Sequence, residues 1–435
     1  MQCTTPSPFR VAVVGQGYVG LPAARAAVAA GHTVVGYDID AAKVAALRAG
    51  TSPIDDLGDR DIDDLLRTGR YRPTGDPADL AGFDVALVTV PTPLRDERPD
   101  LTAVLAAAAE LAEHLRPGCL VVLESTVAPG TTDGEFREAL ERNPAGITAA
   151  DGDLLVGFSP ERIDPGNIRW HFGNTPKLVA GINPASRQAT ESFYASLCDT
   201  VVPCRSAATA EMAKLLENTY RHVNIALVNE LGRHAHELGV SIWDVLDAAA
   251  TKPYGFQRFD PGPGVGGHCL PVDPAYLSDR IERRLGRRFD FVDLAMRVNT
   301  DQPRYVYGRI ADLLNRHRIA VNGAEILVLG LAYKRNSGDT RETPATGLIE
   351  QLVRHGAAVS VGDPLVRDLP ERLARAFPGV KPVDPADLVA AAARSDLVVL
   401  VTDHDAFDYA AISAAAPRLL DTRNRLAVAA HVAAL

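Results

Sequence analysis

The chain has 435 residues, of which 46% are hydrophobic and 23% charged, enough for two to three domains with sizeable cores. A formal net charge of -10 without basic runs excludes non-specific nucleic-acid binding, and no stretch approaches the roughly eighteen consecutive apolar residues that a membrane span requires. Cys3, Cys119, Cys198, Cys204 and Cys269 are irregularly spaced with no CxxC pair, which excludes a disulfide framework or zinc site, so no metal is expected; the polar Met1–Arg10 segment lacks an apolar leader and points to a cytoplasmic protein.

Residues 10–16 form a short apolar run closed by glycine, an alanine-rich helix follows to Ala30, and Thr33–Asp38 is a second run, together predicting a βαβ unit. Pro22 suits the first helical turn, where a missing N–H costs nothing. Between strand and helix stands Gly15-Gln-Gly17-Tyr18-Val19-Gly20, whose glycines permit a tight turn and a pyrophosphate at the helix N-terminus. Asp38, ending the second strand, can accept ribose hydroxyls and repel a 2′-phosphate, so NAD is expected rather than NADP. Lys43, one turn on, is either a ribose contact or a solvated helix charge.

The strand Asp84–Val90 ends in Pro91-Thr92-Pro93, and Cys119–Glu124 ends in Ser125-Thr126, which predicts a parallel sheet with its ligand at the carboxyl ends. Three more segments place polar groups at strand or helix ends: Glu124-Ser-Thr126, Ser159-Pro-Glu161-Arg162 and Lys214-x-x-x-Asn218. Each also reads as a cap, a turn or an exposed helix face.

From about Ala207 to roughly His317 the texture is helical. A helix over Thr209–Leu238 would set Leu215, Thr219, Val223 and Ala226 on one stripe and Lys214 with Asn218 on another face, and it is long enough to be a spine and a dimer surface. The α/β texture resumes with Glu325–Gly330, a helix around Pro344–His355, Ala358–Asp363 and Asp396–Thr402. Val11–Gly15 echoes Ile326–Gly330, and Asp84–Thr89 echoes Asp396–Thr402, although buried valine-rich strands share a limited vocabulary. The fold expected is α/β: two doubly wound Rossmann-like domains joined by a central helical domain, divided as residues 1–206, 207–317 and 318–435. At the turn matching the first fingerprint the second domain reads Gly330-Leu-Ala-Tyr-Lys334-Arg335 and onward to Arg341-Glu342, either an anion site for a diphosphate or a solvated basic loop.

The stretch Phe259–Cys269 places a cysteine behind Gly264, Gly266 and Gly267, which allow close backbone approach to a ligand. A nucleophilic thiol is the implied chemistry, and a buried structural cysteine the alternative. Asp273 follows four residues later; a helix entered at His268 or Cys269 would lower the thiol pKa through its dipole. His268 is a rival base, but adjacent side chains point apart. Thiol plus nicotinamide suggests oxidation through a thioester.

Gly15–Pro22, Glu124–Thr126, Ser159–Asn167, Glu211–Asn218, Pro261–Cys269 and Lys334–Glu342 together resemble the motifs of the UDP-glucose/GDP-mannose dehydrogenase family over nearly the whole chain, and more narrowly those of bacterial UDP-N-acetylglucosamine 6-dehydrogenases. The resemblance implies an NAD domain, a helical dimerisation centre, a UDP-sugar domain, and a homodimer or higher homo-oligomer. It implies Cys269 as nucleophile, Lys214 as oxyanion-stabilising amine, Asn218 and Asp273 as its polar partners, and Thr126 and Glu161 as positioners of the hydrolytic water. Substrate contacts would fall to Glu161, Arg162, Lys214, Asn218, the three glycines, Lys334 and Arg423. Cofactor contacts would fall to the fingerprint, Asp38, Lys43, Pro91, Thr92, Thr126 and Arg341, while Arg258 would reach the substrate or a neighbouring subunit.

The implied reaction takes the C6 alcohol of a UDP-sugar to an aldehyde, a Cys269 thiohemiacetal, a thioester and finally a uronic acid, with hydride passed to two NAD. UDP-glucose enzymes typically carry a glutamate where Asp164-Pro165-Gly166 stands; the Pro-Glu-Arg form, with His268 and Pro271 flanking the cysteine, resembles enzymes acting on 2-acetamido sugars. UDP-N-acetylglucosamine is the expected substrate, with the N-acetylmannosamine and N-acetylgalactosamine epimers open and UDP-glucose an alternative. A one-hydride hydroxyacid dehydrogenase would need no thiol, and a non-catalytic nucleotide-sugar sensor no set of Cys269, Lys214 and Asp273.

Overall fold

Valine-rich runs buried on both faces are the mark of parallel strands covered by helices on either side. The computed structural model, which describes residues 8–54, 57–164, 167, 169–267, 269–427 and 429–435, arranges them as two sheets in two compact units. The first unit holds the residues up to Glu217 together with Ala275–Gly286; the second holds Asn218–Pro274 and Arg287–Leu435.

In the first unit the order is β1 (Arg10–Val14), α1 (Gly20–Ala29), β2 (Thr33–Tyr37), α2 (Ala41–Arg48), α3 (Asp59–Arg67), β3 (Tyr71–Thr74), β4 (Val85–Val88), a short ribbon β5 (Leu94–Arg95) and β6 (Arg98–Pro99), α4 (Thr102–Ala112), β7 (Cys119–Leu123), α5 (Arg137–Leu140), β8 (Leu154–Phe158), β9 (Lys177–Gly181), α6 (Pro184–Ala195) and β10 (Val201–Pro203). The sheet order is β10-β9-β8-β7-β4-β1-β2-β3. Its neighbours are parallel except β8 and β9, which run antiparallel with Gly157 opposite Gly181 and Phe158 opposite Ala180. That reversal brings the first residue of β9 to the edge where the other strands finish. One face packs Val104, Leu111, Phe136 and Phe158; the other packs Leu21, Leu47, Ile62, Phe193 and Tyr194.

The helix α7 (Ala207–Glu237) opens in the first unit, followed by α8 (Ile242–Ala250), α9 (Asp273–Leu285), α10 (Asp290–Thr300) and α11 (Gln302–Arg316). It starts two residues before the expected Thr209, because the Ser206 hydroxyl accepts the Thr209 N–H at 3.1 Å and caps the helix. Leu215, Thr219 and Ala226 are buried as the stripe predicts, with Val223 partly buried. Lys214 and Asn218 are buried as well, at 8% and 6% exposure, so theirs is not a solvated face.

The second unit's sheet comes from β11 (Glu325–Leu329), α12 (Pro344–Arg354), β12 (Ala358–Gly362), α13 (Glu371–Ala376), β13 (Lys381–Pro382), α14 (Leu388–Arg394), β14 (Leu397–Leu400), α15 (Tyr409–Ala415), β15 (Leu419–Asp421) and β16 (Val432–Ala434), in the all-parallel order β13-β12-β11-β14-β15-β16.

The echo between the two halves is more than shared vocabulary. Arg10 N donates to Asp84 Oδ2 at 2.7 Å, and Glu325 N to Asp396 Oδ2 at 2.9 Å. Gly15 and Gly330 both take positive φ, 97° and 94°, directly after the central strand and against Thr89 and Thr402. Asp38 Oδ2 receives Gln16 N at 2.8 Å, and Asp363 Oδ2 receives Leu331 N at 2.7 Å.

Candidate active site

The fingerprint turn is shaped by steric necessity. A Cβ on Gly15 would stand 2.9 Å from Thr89 O, and one on Gly20 would stand 1.8 Å from Gly15 O, whereas a Cβ on Gly17 would meet nothing within 4 Å. Gly15 and Gly20 therefore serve the strand–helix packing, and Gly17 leaves the open approach that a pyrophosphate needs. No side chain caps α1; Leu21 N donates back to Gly17 O at 3.1 Å and Pro22 carries no N–H, which leaves the Gly20 end of the helix as the positive pole that would face an anion.

Asp38 closes this end. Its Oδ2 accepts Gln16 N and Lys43 Nζ, both at 2.8 Å, and its Oδ1 accepts Asp40 N at 3.0 Å. Lys43 is thus paired with the carboxylate, not merely solvated. Both line a cavity of about 300 Å³ with Gly15, Tyr37, Pro91 and Ala107. A carboxylate wall beside apolar surface at the ends of parallel strands fits the adenosine half of NAD. Thr92 is buried beyond the exposed Pro91, and Thr126 is half-buried after β7.

Further along the same sheet edge lies a charged cluster that motif reading missed in part. Glu161 Oε1 accepts the N–H groups of Arg162 and Ile163 at 2.5 and 2.7 Å, and its Oε2 accepts Lys177 Nζ at 2.8 Å. The same Nζ donates to Glu124 Oε2 at 2.8 Å, and Tyr194 donates its hydroxyl to Glu124 Oε1 at 2.6 Å. The side chains of Lys177 and Glu124 are 3% and 0% exposed. Burial raises the Glu124 pKa against the pull of Lys177; burial also pulls Lys177 down, but Glu124 and Glu161 outweigh it and raise the ammonium. These tendencies oppose each other across one ion pair; the ionised pair prevails because the ammonium faces two carboxylates. The one sequence sign of Lys177 was a lysine flush against an apolar run, and Tyr194 offered none.

Arg162 donates through Nε and Nη2 to Glu217 on α7 at 3.2 and 2.6 Å, and through Nη1 to Pro176 O at 2.8 Å. Three of its donors thus hold the turn between Glu217 and Pro176. On the same helix Glu211 receives Gly130 N, Thr132 N and Thr132 Oγ1 at 2.6, 2.9 and 2.7 Å, pinning the loop beyond Thr126 one turn before Lys214.

In the second unit Cys269 is exposed, which excludes the buried structural alternative. The helix α9 begins at Asp273, not at His268 or Cys269, and the Cys269 carbonyl accepts Val272 N and Asp273 N at 3.2 and 2.8 Å. A turn containing Pro271 delays the helix. Asn218 Nδ2 donates to Asp273 Oδ2 at 2.5 Å, bringing these two predicted partners together. His268, Pro165 and Gly166 lie outside the described residues.

The glycines before Cys269 answer to protein as much as to ligand. A Cβ on Gly266 would stand 2.7 Å from Glu342 O, one on Gly267 2.8 Å from the Tyr333 ring, and one on Gly264 2.8 Å from Pro344 Cβ. Gly267 N donates to Arg341 O at 3.0 Å. Gly262 is held by Asn229 Oδ1 and Gln302 Nε2, each at 2.9 Å, and Asn229 in turn donates to Asn299 Oδ1 at 3.0 Å. Asn299 Nδ2 reaches the backbone carbonyl of His222 at 3.2 Å. Burial brings that imidazole down to about 4, against a weaker upward pull from the Leu270 backbone.

Arg423 abuts this loop, with Nη1 2.6 Å from where a Gly262 Cβ would stand. Its Nε donates to Val401 O at 2.7 Å, no carboxylate among the described residues forms an ion pair with it, and burial lowers its pKa. Such a guanidinium suits a phosphate. Lys334 is half-buried after β11. Arg335 instead pairs with Asp405, Arg341 pairs with Asp339 at 2.5 Å, and Arg258 pairs with Asp247 and Asp260, so these cations are already engaged within the chain. Among the described residues no group of three or more His, Cys, Asp or Glu could hold a metal ion, and no helix is long and apolar enough to cross a membrane.

Comparison with known proteins matches the chain to the UDP-glucose/GDP-mannose dehydrogenase family: its NAD binding domain over residues 9–198, its central domain over 208–301 and its UDP binding domain over 327–428. It is 35% identical over 400 residues to a UDP-N-acetyl-D-mannosamine dehydrogenase of Pyrococcus horikoshii, covering 92% of this chain and 90% of the relative. It is 36% identical over 360 residues to a UDP-N-acetyl-D-glucosamine 6-dehydrogenase of Pseudomonas aeruginosa, covering 82% and 83%. A solved structure of the UDP-D-ManNAc dehydrogenase of Pyrococcus horikoshii superposes with a TM-score of 0.87 at 32% identity, covering 98% of each chain.

Proposed function

The chain belongs to the UDP-glucose/GDP-mannose dehydrogenase family and is an NAD-dependent UDP-sugar dehydrogenase, and from that premise we propose that it oxidises C6 of a UDP-N-acetylhexosamine, foremost UDP-N-acetylglucosamine, to the uronic acid. The carrying observation is the exposed thiol of Cys269 in the turn leading to Asp273, whose carboxylate receives Asn218. In this reading the substrate loses a hydride from C6, Cys269 adds to the aldehyde, a second hydride leaves the thiohemiacetal, and water cleaves the thioester. NAD accepts each hydride. Lys214 stabilises the oxyanion, Thr126 and Glu161 place the water, and Lys334 and Arg423 hold the diphosphate.

The three-domain division at 206/207 and 317/318 is proposed as the functional one, with the central helices carrying a homodimer. A catalytic thiol that must stay reduced supports a cytoplasmic setting. The manno epimer is a second reading, favoured by the mannosamine relative, which spans 92% of this chain where the glucosamine relative spans 82%.

Absorbance of NADH tests the reaction: two NADH per sugar are expected, and one NADH with free aldehyde would refute the thioester route. The same assay with UDP-N-acetylglucosamine, its manno and galacto epimers and UDP-glucose ranks substrates by kcat/KM. A higher value for UDP-glucose than for every acetamido sugar would move the enzyme off this branch.

A further inference from the structure

Lys177 begins β9, and because β9 runs antiparallel to β8, continuing their register sets it level with Glu161 beyond the strand end. Its side chain is too buried to meet a substrate. The ammonium gives one hydrogen bond to each of Glu124 and Glu161 and faces the Phe172 ring 4.6 Å away, so its donors are spent inside the protein. On Glu161, two backbone amides fill Oε1 and Lys177 occupies Oε2. Of the roughly four acceptor positions of a carboxylate one remains, on a side chain 11% exposed. The next residue, Arg162, fastens the turn to Glu217, three positions beyond Lys214 on α7.

We propose that Lys177 is a positioning residue for the hydrolytic half-reaction: braced against Glu124, it orients Glu161 so that its remaining acceptor position holds the water of that step. This rests on the thioester reading above. In that step the water oxygen bonds to the thioester carbon, the carbon–sulfur bond breaks with its pair on sulfur, and both water protons leave to thiol or solvent. No hydride moves, so the two oxidations do not depend on Lys177.

The test combines Lys177→Met with Glu124→Gln, so that the fully buried Glu124 carboxylate is not stranded, beside Lys177→Arg, Glu161→Gln and the parent. Rapid mixing with NAD and UDP-N-acetylglucosamine reads the NADH burst, steady turnover reads hydrolysis, and intact-protein mass reads the uronyl adduct on Cys269. The double variant is expected to keep the burst, accumulate adduct and lose steady-state kcat on the order of a hundredfold. Lys177→Arg should restore much of it, and added hydroxylamine, a nucleophile that needs no positioned water, should discharge the adduct. If the double variant does not fold, Lys177→Gln takes its place and is read in the same way. Parent-like turnover, or a burst lost together with turnover, overturns the role of Lys177. Adduct on Glu161→Gln but not on the Lys177 variant rejects Lys177 alone; its absence from both, with bursts intact, rejects the thioester reading and this role with it.

Discussion

Cys269 is exposed while its own carbonyl anchors the turn into α9, which would separate the proposed nucleophile from the atoms that hold the turn. Substitutions that change only the sulfur should therefore leave the turn in place. Cys269→Ala is expected to lose turnover by roughly three orders of magnitude or more, the scale seen when a covalent nucleophile is removed. Cys269→Ser is expected to accumulate a uronyl ester detectable by intact-protein mass, because an alkoxide leaves less readily than a thiolate. Steady turnover near the parent rate by the alanine variant would make Cys269 structural. Cys269, Asp38 and Glu161 could be singled out as candidates from sequence because each sits in a local pattern whose neighbours announce it. Lys177 and Tyr194 were not, since their common partner Glu124 lies 53 and 70 positions away. The engagement of Arg162 with Glu217, 55 positions on, was hidden for the same reason.

At the scale of elements, α7 shows two apolar faces where a surface helix needs one. Beside the buried stripe of Leu215, Thr219 and Ala226, an exposed one runs through Met212, Leu216, Tyr220, Leu227 and Leu231, with Leu238 just past the helix end. Leu216, Leu227 and Leu238 are 61%, 59% and 77% exposed. Exposed apolar side chains at helical spacing are the surface that the proposed homodimer would bury. Leu227→Glu with Leu231→Glu is expected to weaken a homodimer at least about a hundredfold, since each buried leucine contributes roughly 1.5–3 kcal/mol. Light scattering that finds the same particle mass for parent and variant, with unchanged helicity, would place the interface elsewhere. The helical period of α7 was readable from sequence. The reversal of β9 was not, because a five-residue apolar run looks the same in either direction. The halves' echo became decisive only with Asp84 and Asp396 bonded to equivalent amides.

Across the whole molecule, acid should be felt through His222. Burial brings its pKa to about 4 from the ordinary 6.5. Between those values the unfolded chain takes up a proton that the folded one refuses, so stability falls as pH drops through that window and the loss saturates below it. From pH 7.5 to 5 the parent should lose about 2 kcal/mol more than His222→Gln, measured as the difference in urea unfolding free energy. Parallel profiles for the two proteins would show that His222 is not the group responsible. The strand reversal at β9 has a further consequence, in the order of folding. Glu124, Glu161, Lys177 and Tyr194 come from the residue after β7, the turn after β8, β9 and α6, so their cluster closes only when all four segments have docked. Contacts so distant in sequence form after local ones because the chain must first lose the entropy of closing the intervening loops. The charged corner is therefore complete only once α6 is in place, and a chain halted before α6 would lack the Tyr194 hydroxyl on Glu124 while already carrying every residue of the dinucleotide turn.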